Sequence, residues 1–377
     1  MKRKGKRLVA MLSSIAMAAS LFAGCGASSS SSSNGGAASK DSDGLTEVSF
    51  VTPTALASMD VVWLYAADEM GFLKEEGIKL NYIECTDGSD PKILASGQAQ
   101  FGGFSSAVGL SAADSGVTNI EAITNILSVN HFGIAYNKES GIKDWKDLEG
   151  KNIGALADTF AGLYNPILQA AGVDTSKVNY VTYGSSEYEA LNTNQVPAMG
   201  TWLSEYYMCQ GMGYDWGYLS GNDVQPCIAN SLWVNTDFAK ENPDIVKGFA
   251  RAVEKAIYLC YLNPEAVADI TLTKYPSIEI SWDGAVGSVK GNVAAMLGID
   301  EADQKAKVDS KEIGKFDMDV CQTTIDNLYK GGSIKNELKA EDYYTNDYFS
   351  NDWDYSEVEK ASDSYEFQSK VYKEANK

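Results

Sequence analysis

From Glu47 onward the chain alternates short apolar runs with amphipathic stretches that end near glycine. Apolar runs of about four to eight residues are typical of buried strands, and longer periodic stretches are typical of helices. In the first unit, the run VSFVT (48–52) precedes the stretch WLYAADEMGFLKEEG, in which Gly77 is a helix stop signal. This alternation predicts an α/β fold with a mainly parallel sheet.

Further strands follow the same pattern, each a short apolar run bounded by polar residues or glycine. The run VPAMGTW (196–202) is predicted to be an edge strand, because Pro197 lacks the N–H that a central strand position requires. The stretch 242–267 has the period of one long amphipathic helix. The other predicted strands are 78–84, 99–103, two within 120–137, 152–157, 178–184 and 231–238.

The N-terminal residues do not follow this pattern. The first seven, MKRKGKR, hold five cations, and the run that follows, as far as Ala23, is apolar or small and uncharged. Such a sequence is typical of a secretory signal peptide, which we place at 1–24. The run LFAGC resembles a bacterial lipobox, and this resemblance implies lipidation of Cys25. Residues 25–45 are then a lipidated cysteine and a flexible Ser/Gly-rich tether with a reach of about 25 Å.

Composition narrows the class of protein. About 330 residues remain after the tether, which favours two lobes over a single core. No second apolar run is long enough to span a bilayer, so we expect the mature chain to be peripheral. Without the five cations of the signal peptide, 26 of the 31 basic side chains face 51 acidic ones, a net charge near −25. This charge argues against nucleic acid or an anionic surface as a partner.

The cysteines and the single histidine offer little for catalysis. No two cysteines have the C-x-x-C spacing of a metal or redox site, so we expect buried structural thiols, with one long-range disulfide left open. His131 lies in an apolar stretch, which favours a structural role over a catalytic one. No catalytic residue, metal site or cofactor is therefore predicted. The cysteines after Cys25 are Cys85, Cys209, Cys227, Cys260 and Cys321.

Candidate ligand-binding residues follow the predicted strands. Ligands of parallel α/β sheets bind beyond the carboxyl ends of the strands, where capping side chains and helix N-termini meet. Aromatic side chains and carboxylates are frequent in these segments, and both groups suit a flat, neutral or cationic heterocycle. The candidate residues are Asp60, Trp63, Gly88, Ser89, Asp90, Ser105, Ser106, Asp158, Thr159, Phe160, Trp202, Glu205 and Tyr206.

Four phrases carry a resemblance to a known family. They are SMDVVWLYAADEMGFLKEEGIKL, DGSDPKILASGQAQFGGFSSAVGLSAADSG, ESGIKDWKDLEGKNIGAL and ENPDIVKGFARAVEKAIYLCYLNPEAV. Over residues 47–350 the chain resembles the NMT1/THI5-like group, relatives of sulfonate, taurine, nitrate and thiamine-precursor binders of ABC importers. The resemblance implies a two-lobed α/β fold of the type II periplasmic-binding-protein class, with two strands that cross between the lobes near 131–137 and 230–235. It places lobe I at 46–131 plus 236–377 and lobe II at 138–229.

The same resemblance implies an extracytoplasmic solute-binding lipoprotein of a bacterial ABC importer, anchored to the cell membrane through Cys25. Its expected partners are a small-molecule solute, a permease and an ATPase, and the ATPase is expected to be a separate subunit because the chain lacks a P-loop. We expect a monomer without enzymatic activity. The alternatives are an anchored sensor and a pyrimidine-synthesis enzyme. Enzymes of the group carry a cysteine-rich motif and essential histidines, whereas this chain has no clustered cysteines and one histidine.

The arginine content bears on the ligand. Of the three arginines, two lie in the predicted signal peptide, and Arg251 lies within a predicted helix. Guanidinium groups commonly bind sulfonate, nitrate and phosphate, so the predicted cleft lacks this means of holding an anion. An aminopyrimidine related to the thiamine precursor is therefore the first expectation. The alternative is a small sulfonate, taurine or another anion held by helix N-termini at Ser89, Ser105 and Thr159.

Overall fold

The computed structural model describes residues 40–155, 161–183 and 187–377. The predicted signal peptide, Cys25 and the tether as far as residue 39 lie outside the described residues. Ten strands within the described ranges form two five-stranded sheets, which confirms the α/β class. The strands are β1 (Thr46–Thr52), β2 (Ile78–Glu84), β3 (Phe101–Ser105), β4 (Ile120–Leu127), β5 (Phe132–Asn137), β6 (Asn152–Ala155), β7 (Asn179–Thr182), β8 (Ala198–Trp202), β9 (Trp216–Ser220) and β10 (Asn230–Asn235).

Fifteen α-helices connect and cover the strands in the described part of the chain. Several begin after a residue whose side chain caps the first turn, as Ser105, Asn235 and Ser281 do. The helices are α1 (Val62–Glu69), α2 (Phe72–Glu75), α3 (Asp90–Ala95), α4 (Ser106–Asp114), α5 (Ala161–Ala170), α6 (Glu187–Asn192), α7 (Leu203–Gly211), α8 (Thr236–Glu241), α9 (Pro243–Leu262), α10 (Pro264–Lys274), α11 (Trp282–Leu297), α12 (Glu301–Asp309), α13 (Met318–Lys330), α14 (Tyr355–Asp363) and α15 (Lys370–Ala375).

The two sheets share one architecture. The first has the order β2-β1-β3-β10-β4, and the second has the order β7-β6-β8-β5-β9. Each sheet contains one antiparallel strand, β10 in the first and β5 in the second. These two strands occupy the predicted crossing segments, and each pairs within one sheet. Because parallel strands place their carboxyl ends at the same edge, the segments that follow β1 and β3 lie at one edge of the first sheet.

Aromatic side chains fill the core on one face of the first sheet. Phe50 of β1 and Phe101 of β3 are fully buried, and Phe249 of α9 stacks on Phe101 at a ring-centroid distance of 4.0 Å. Trp63 of α1 packs edge-on against Phe50, with the ring centroids 5.9 Å apart. The next strand residue, Val51, belongs to a separate cluster on the opposite face, as the alternation of a strand requires.

The second sheet buries a smaller core on each face. Ile134 of β5 clusters with Ile167 of α5 on one face. The next residue, Ala135, clusters with Leu191 of α6 and Cys209 of α7 on the other. Helices α5 and α7 therefore cover opposite faces of this sheet.

The prediction of an edge strand at 196–202 is wrong. Strand β8 lies at the centre of the second sheet, between β6 and β5. Pro197 precedes the first paired residue, Ala198, and the Pro197 carbonyl accepts a hydrogen bond from the Asn137 N–H at 3.1 Å. The missing N–H of the proline therefore removes no hydrogen bond from the ladder.

The prediction of one helix over 242–267 is also wrong. Helix α9 ends at Leu262, and α10 begins at Pro264 after the cap residue Asn263. The Asn263 side chain accepts a hydrogen bond from the Ala266 N–H at 2.9 Å. Pro264 occupies the first helical position, where a missing N–H needs no partner. The apolar period continues across the break, so periodicity alone does not reveal it.

Helices α7 and α11 pack with their backbones in close approach. An ideal Cβ atom on Gly287 of α11 would lie 2.3 Å from the carbonyl oxygen of Tyr207, and one on Gly291 would lie 2.4 Å from that of Leu203. No side chain fits at such distances, so glycine is required at both positions. Helix α7 follows β8 of the second sheet, whereas α11 contacts β4 of the first. The contact therefore joins elements of the two sheets.

The cysteines behave as expected for structural thiols. All five that the structure describes are free, four are buried, and Cys227 is partly exposed. Across the same ranges, no helix combines the length and the apolar character needed to cross a membrane.

Candidate functional site

A cavity of about 540 Å³ lies where the edge of the first sheet meets α7 and α11. The loop after β1 contributes Asp60, the end of β8 contributes Trp202, and α7 contributes Glu205. Three of the sequence-predicted residues thus meet in this space, which we term the acidic cavity. Its lining consists of Met59, Asp60, Tyr188, Trp202, Ser204, Glu205, Met208, Met212, Ile278, Glu279, Ile280, Ser281 and Ser288.

Asp60 lies in the loop between β1 and α1. Its N–H donates to the Ser58 hydroxyl oxygen at 3.3 Å, and the neighbouring Met59 carbonyl accepts a hydrogen bond from the Asn292 side chain of α11 at 3.1 Å. These contacts hold the loop against α11. Burial raises the pKa of the Asp60 carboxyl, and a side-chain hydrogen bond from the Ser58 hydroxyl to that carboxyl opposes this shift. A carboxyl deprived of water in this way is stabilised when a cation or an N–H donor approaches it.

Glu205 lies in the first turn of α7, where the helix dipole favours a carboxylate. The residue is 8% exposed, and its carboxyl accepts hydrogen bonds from the Thr201 hydroxyl, at 2.5 Å, and from the Tyr188 hydroxyl. Burial raises the pKa of Glu205, and the charge of Asp60 raises it further, while the two hydroxyl donors lower it. The two carboxyls therefore interact although they come from different sheets.

The rest of the cavity wall is mainly aromatic, aliphatic and thioether, with three serines and one further carboxylate, the exposed Glu279. Trp202 is half-buried directly before α7, and Tyr188 reaches the cavity from α6. Met208 and Met212 follow along α7 at a spacing of one helical turn, which places them on one face. Polarisable thioether groups adapt well to the faces and edges of flat rings. The cavity thus combines two carboxyls with surfaces on which a planar ring can stack.

No lysine, arginine or histidine lines the acidic cavity in the described part of the chain. The two short undescribed segments, 156–160 (LADTF) and 184–186 (GSS), contain none of these residues either. Arg251 instead pairs with Glu76 at an N···O distance of 3.5 Å. A bound anion would therefore meet three acidic side chains, Asp60, Glu205 and Glu279, without a cationic side chain among the described lining residues to compensate them.

Trp63 does not line this cavity. It is 2% exposed, packs on Phe50, and approaches Gly103 so closely that a Cβ there would lie 3.4 Å from the indole ring. The structure places Trp63 in the core, which corrects its prediction as a ligand platform. The residues of α1 from Val62 to Ala67 are all buried, so the indole of Trp63 faces the protein interior and is inaccessible to a ligand.

The predicted residues Gly88 and Ser89 form a turn before α3, Asp90 is the first residue of that helix, and none of the three lines the acidic cavity. Gly88 adopts a φ of +78°, which glycine tolerates best. The Asp87 carboxylate accepts hydrogen bonds from the Ser89 hydroxyl, at 2.6 Å, and from its N–H, at 3.0 Å, and these lower the pKa of Asp87 to about 2. Asp90 is 1% exposed, and burial raises the pKa of its carboxyl. Ser89 therefore stabilises the turn itself.

The remaining described candidates have partners within the protein and do not line the acidic cavity. Ser105 caps α4, and the Ser106 hydroxyl is buried and lies 3.2 Å from that of Ser231. Tyr206 stacks on Tyr218 with the ring centroids 4.6 Å apart. Three further candidates lie outside the described residues, namely Asp158, Thr159 and Phe160.

Sequence reasoning missed much of the cavity wall. Met208 follows Glu205 at helical spacing, which is a usable signal once Trp202 is taken to precede a helix. Tyr188 carries no comparable signal. The segment 278–281 is distant along the chain and reaches the cavity only because α11, which begins directly after it, packs against α7.

His131 lies where the chain passes from β4 to β5. Its backbone carbonyl accepts hydrogen bonds from the Leu203 N–H at 2.9 Å and from the Tyr218 hydroxyl at 3.1 Å. Burial lowers the pKa of its imidazole to about 4, so the ring is neutral near pH 7. This environment is that of a structural histidine.

The two sheets and their order define the fold of periplasmic solute-binding proteins. The periplasmic aliphatic sulphonate binding protein SsuA from Escherichia coli has a TM-score of 0.58 and 14% identity, and the match covers 78% of this chain and 91% of SsuA. The periplasmic nitrate-binding protein NrtA from Synechocystis PCC 6803 has a TM-score of 0.58 and 13% identity, with 85% of this chain and 99% of NrtA covered. These similarities confirm the predicted fold.

Sequence comparison identifies the family. The model of the NMT1/THI5 like family matches residues 58–267, which is more than half of the chain. The chain therefore belongs to the NMT1/THI5-like family, as the four quoted phrases predict.

Two curated relatives show the range of this similarity. A 4-amino-5-hydroxymethyl-2-methylpyrimidine phosphate synthase from Aspergillus parasiticus is 27% identical over 218 residues, which is 54% of this chain and 64% of the relative. The riboflavin-binding protein RibY from Chloroflexus aurantiacus is 23% identical over 222 residues, or 57% of this chain and 63% of RibY. The chain thus spans less than two thirds of the length of these relatives.

The comparisons correct one expectation. The prediction that the chain lacks enzymatic activity is contradicted, because its similar relatives include proteins named as pyrimidine phosphate synthases. The desulfurization enzyme DSZB also shares the fold, with a TM-score of 0.54 and 13% identity over 85% of this chain and 99% of DSZB. Proteins similar to this chain thus include enzymes as well as binding proteins.

Proposed function

We propose that this protein is the solute-binding component of an ABC importer and that it captures a small, flat, amino-bearing or cationic nitrogen heterocycle in the acidic cavity. The observation that carries this proposal is the pair of carboxyls, buried Glu205 and half-buried Asp60, in a cavity without a cationic side chain in the described ranges.

The two carboxyls carry a free-energy cost when no ligand is bound. Burial disfavours the ionised forms of Asp60 and Glu205, and a ligand that brings positive charge or N–H donors removes part of that cost. Trp202 then offers a face for a planar cation, which aromatic rings attract through their quadrupole. An aminopyrimidine has both the flat ring and the N–H donors. The unphosphorylated form suits this cavity better, because a phosphate would be repelled by both carboxylates.

The importer role is supported by the fold and by the names of its neighbours. SsuA and NrtA, which share the fold, are named as periplasmic binding proteins for sulphonate and nitrate. We extend that class to this chain and propose a monomer outside the cytoplasm, held at the membrane by lipidated Cys25 and serving a permease and an ATPase. The two sheets would belong to two lobes, 46–131 plus 236–377 and 138–229, that close on the solute.

Two other functions remain as candidates. A synthase activity that forms a pyrimidine phosphate is favoured by the names of the curated relatives, and the same cavity would then hold the pyrimidine product, although its carboxylates oppose the phosphate. Capture of a sulfonate, taurine or nitrate is favoured by the structural neighbours, but the charge of the acidic cavity opposes it. The sensor alternative would keep the same ligand without a transporter.

Calorimetric titration of the purified full-length chain separates these ligands. We expect 4-amino-5-hydroxymethyl-2-methylpyrimidine to bind, and taurine, alkanesulfonates and nitrate not to bind. At 100 times its dissociation constant a ligand adds about 2.7 kcal/mol to the free energy of unfolding, which gives an independent rise in Tm of about 2 to 4 °C. Binding of only the anions would overturn the ligand assignment.

A further inference from the structure

A second cavity, of about 310 Å³, lies beside the segment that leads from the second sheet into β10. Ser105 and Thr324 reach it from elements of the first sheet, Phe132 and Leu163 from elements of the second, and Cys227 from the connecting segment. None of the side chains that line it in the described part of the chain is charged. We term it the neutral cavity.

The acidic and neutral cavities are neighbours. Phe132 of β5 and Trp202 of β8 are directly paired, and paired residues of antiparallel strands have Cα atoms about 4.5–5.5 Å apart. Trp202 lines the acidic cavity, and Phe132 lines the neutral one. On the facing side, Asp60 follows β1 and Ser105 ends β3, which are adjacent parallel strands of the first sheet. The two cavities therefore lie beside each other along adjacent strands of the same two sheets.

The chemistry of the neutral cavity differs from that of the acidic one. Phe132, Leu163 and Ile228 form an apolar wall, and amide side chains such as Asn230 and Asn327 supply uncharged hydrogen-bonding groups. Leu163 is 42% exposed although it is a large hydrophobic residue. An uncharged, partly apolar group placed here would remove that surface from water, whereas a charged group would find no partner among the described lining residues.

We infer that the ligand is bipartite: a cationic or amino-bearing flat head binds in the acidic cavity, and an uncharged, partly apolar tail extends past the Phe132–Trp202 pair into the neutral cavity. This inference rests on the proposed function and adds the substrate class to it. Ligands in protein clefts usually bury most of their surface. A single pyrimidine ring in the acidic cavity leaves the neutral cavity empty, and a tail would occupy that second space.

Two probes of different length test the inference by calorimetry on the full-length chain. The short probe is 4-amino-5-hydroxymethyl-2-methylpyrimidine, and the long probe is its benzyl ether. We expect the long probe to bind at least about tenfold more tightly, because the phenyl group is removed from water. A Gly162→Trp variant should abolish this gain and leave the affinity for the short probe within about twofold, since a Cβ at Gly162 points into open space beside the neutral cavity.

A matched control and a second readout keep the test decisive. Gly162→Ala adds only a methyl group and should retain the gain. Alkylation of Cys227, followed by mass spectrometry of its peptide, should slow with the long probe and not with the short one, because Cys227 lines the neutral cavity. If the short probe binds but the long probe binds no more tightly and leaves Cys227 unprotected, the inference is overturned and the proposed function stands. If neither probe binds the folded chain, both fall together.

Discussion

Asp60 and Glu205 face one cavity from two different sheets, and the charge of Asp60 raises the pKa of Glu205. Each carboxyl is also deprived of water, so the pair carries a free-energy cost in the absence of a ligand. The loop after β1 and helix α7 are thus coupled through the electrostatics of the cavity. Such pairs are frequent at functional sites.

The first prediction concerns this carboxyl pair. Asp60→Asn and Glu205→Gln should each weaken binding of 4-amino-5-hydroxymethyl-2-methylpyrimidine by about 10- to 100-fold, the effect of losing a hydrogen bond to a charged group. Glutamine fits at position 205, because the Thr201 and Tyr188 hydroxyls can accept as well as donate. The measurement is a calorimetric titration at pH 7.5. Asp215→Asn, at an exposed position, is the matched control and should bind like the unmodified chain.

The second prediction concerns the pH dependence of stability in the Asp60→Asn variant. Because the folded-state pKa of Asp60 lies above its ordinary value of 3.8, the folded state retains the proton more readily than the unfolded state. The contribution of Asp60 to the free energy of unfolding is therefore fully present below its ordinary pKa of 3.8 and is lost as the pH rises through the folded pKa. Without ligand, Asp60→Asn should be more stable than the unmodified chain at pH 7.5 and lose that advantage near pH 3.5. Urea unfolding at both pH values measures this, and equal midpoints at pH 7.5 would contradict it.

The third prediction separates two tryptophans that look alike in the sequence. Trp63→Ala should lower the free energy of unfolding by about 3–5 kcal/mol, because it leaves a void beside Phe50. Trp202→Ala should change stability by about 1 kcal/mol or less but reduce affinity for the aminopyrimidine, and Trp202→Phe should restore part of that affinity. Urea unfolding and calorimetry on the same samples test both statements. A stable Trp63→Ala protein with reduced affinity would reverse the two assignments.

The two tryptophans show which features of the structure can be predicted from the sequence and which cannot. Apolar runs bounded by caps and glycines specify strands locally, so the run 78–84 corresponds to β2 residue for residue. The class of fold follows from the alternation of such runs with helices. The sequence does not reveal which side of α1 faces the core. It therefore does not distinguish Trp63, which is buried, from Trp202, which lines the acidic cavity.

The features that sequence analysis did not predict depend on tertiary contacts. Pro197 is a poor residue for a strand interior, but it lies just outside β8, and a one-residue difference of this kind lies below the precision of pattern analysis. The segment 278–281 joins the cavity wall only because α11 packs against α7. That packing depends on glycines, which carry no apolar pattern to detect.

The fourth prediction concerns these glycines. Gly287→Ala should destabilise the protein by about 1–3 kcal/mol, because the new methyl group would lie against the Tyr207 carbonyl and force the helices apart. Gly162 lies in the first turn of α5, where a Cβ meets nothing within 4 Å, so Gly162→Ala should stabilise the protein by about 0.4–1 kcal/mol by restricting the unfolded chain. Gly287→Ala should also weaken ligand binding, since Ser288 and the segment 278–281 line the acidic cavity. Opposite signs of the two stability changes are the expected result.

The last prediction concerns a buried acid far from the acidic cavity. Glu254 of α9 is 1% exposed, and burial raises its pKa to about 9, although the Trp353 indole N–H, at 3.1 Å, and the Ser350 N–H, at 3.4 Å, donate to its carboxyl and lower the pKa. The folded state thus keeps a proton that the unfolded state loses above about pH 4.5. This contribution to the free energy of unfolding is complete below pH 4.5, falls with increasing pH, and levels off above about pH 9.

Glu254→Gln removes the titrating proton, so the urea midpoint of this variant should vary less between pH 6 and pH 9 than that of the unmodified chain. The slope of the urea midpoint against pH tests this prediction even if the glutamine, which offers one acceptor to two N–H donors, lowers stability at every pH. Glu357→Gln on the exposed side of α14 is the control and should follow the unmodified chain. Equal slopes for Glu254→Gln and the unmodified chain would mean that Glu254 is ionised in the folded state, with its charge stabilised by the two N–H donors.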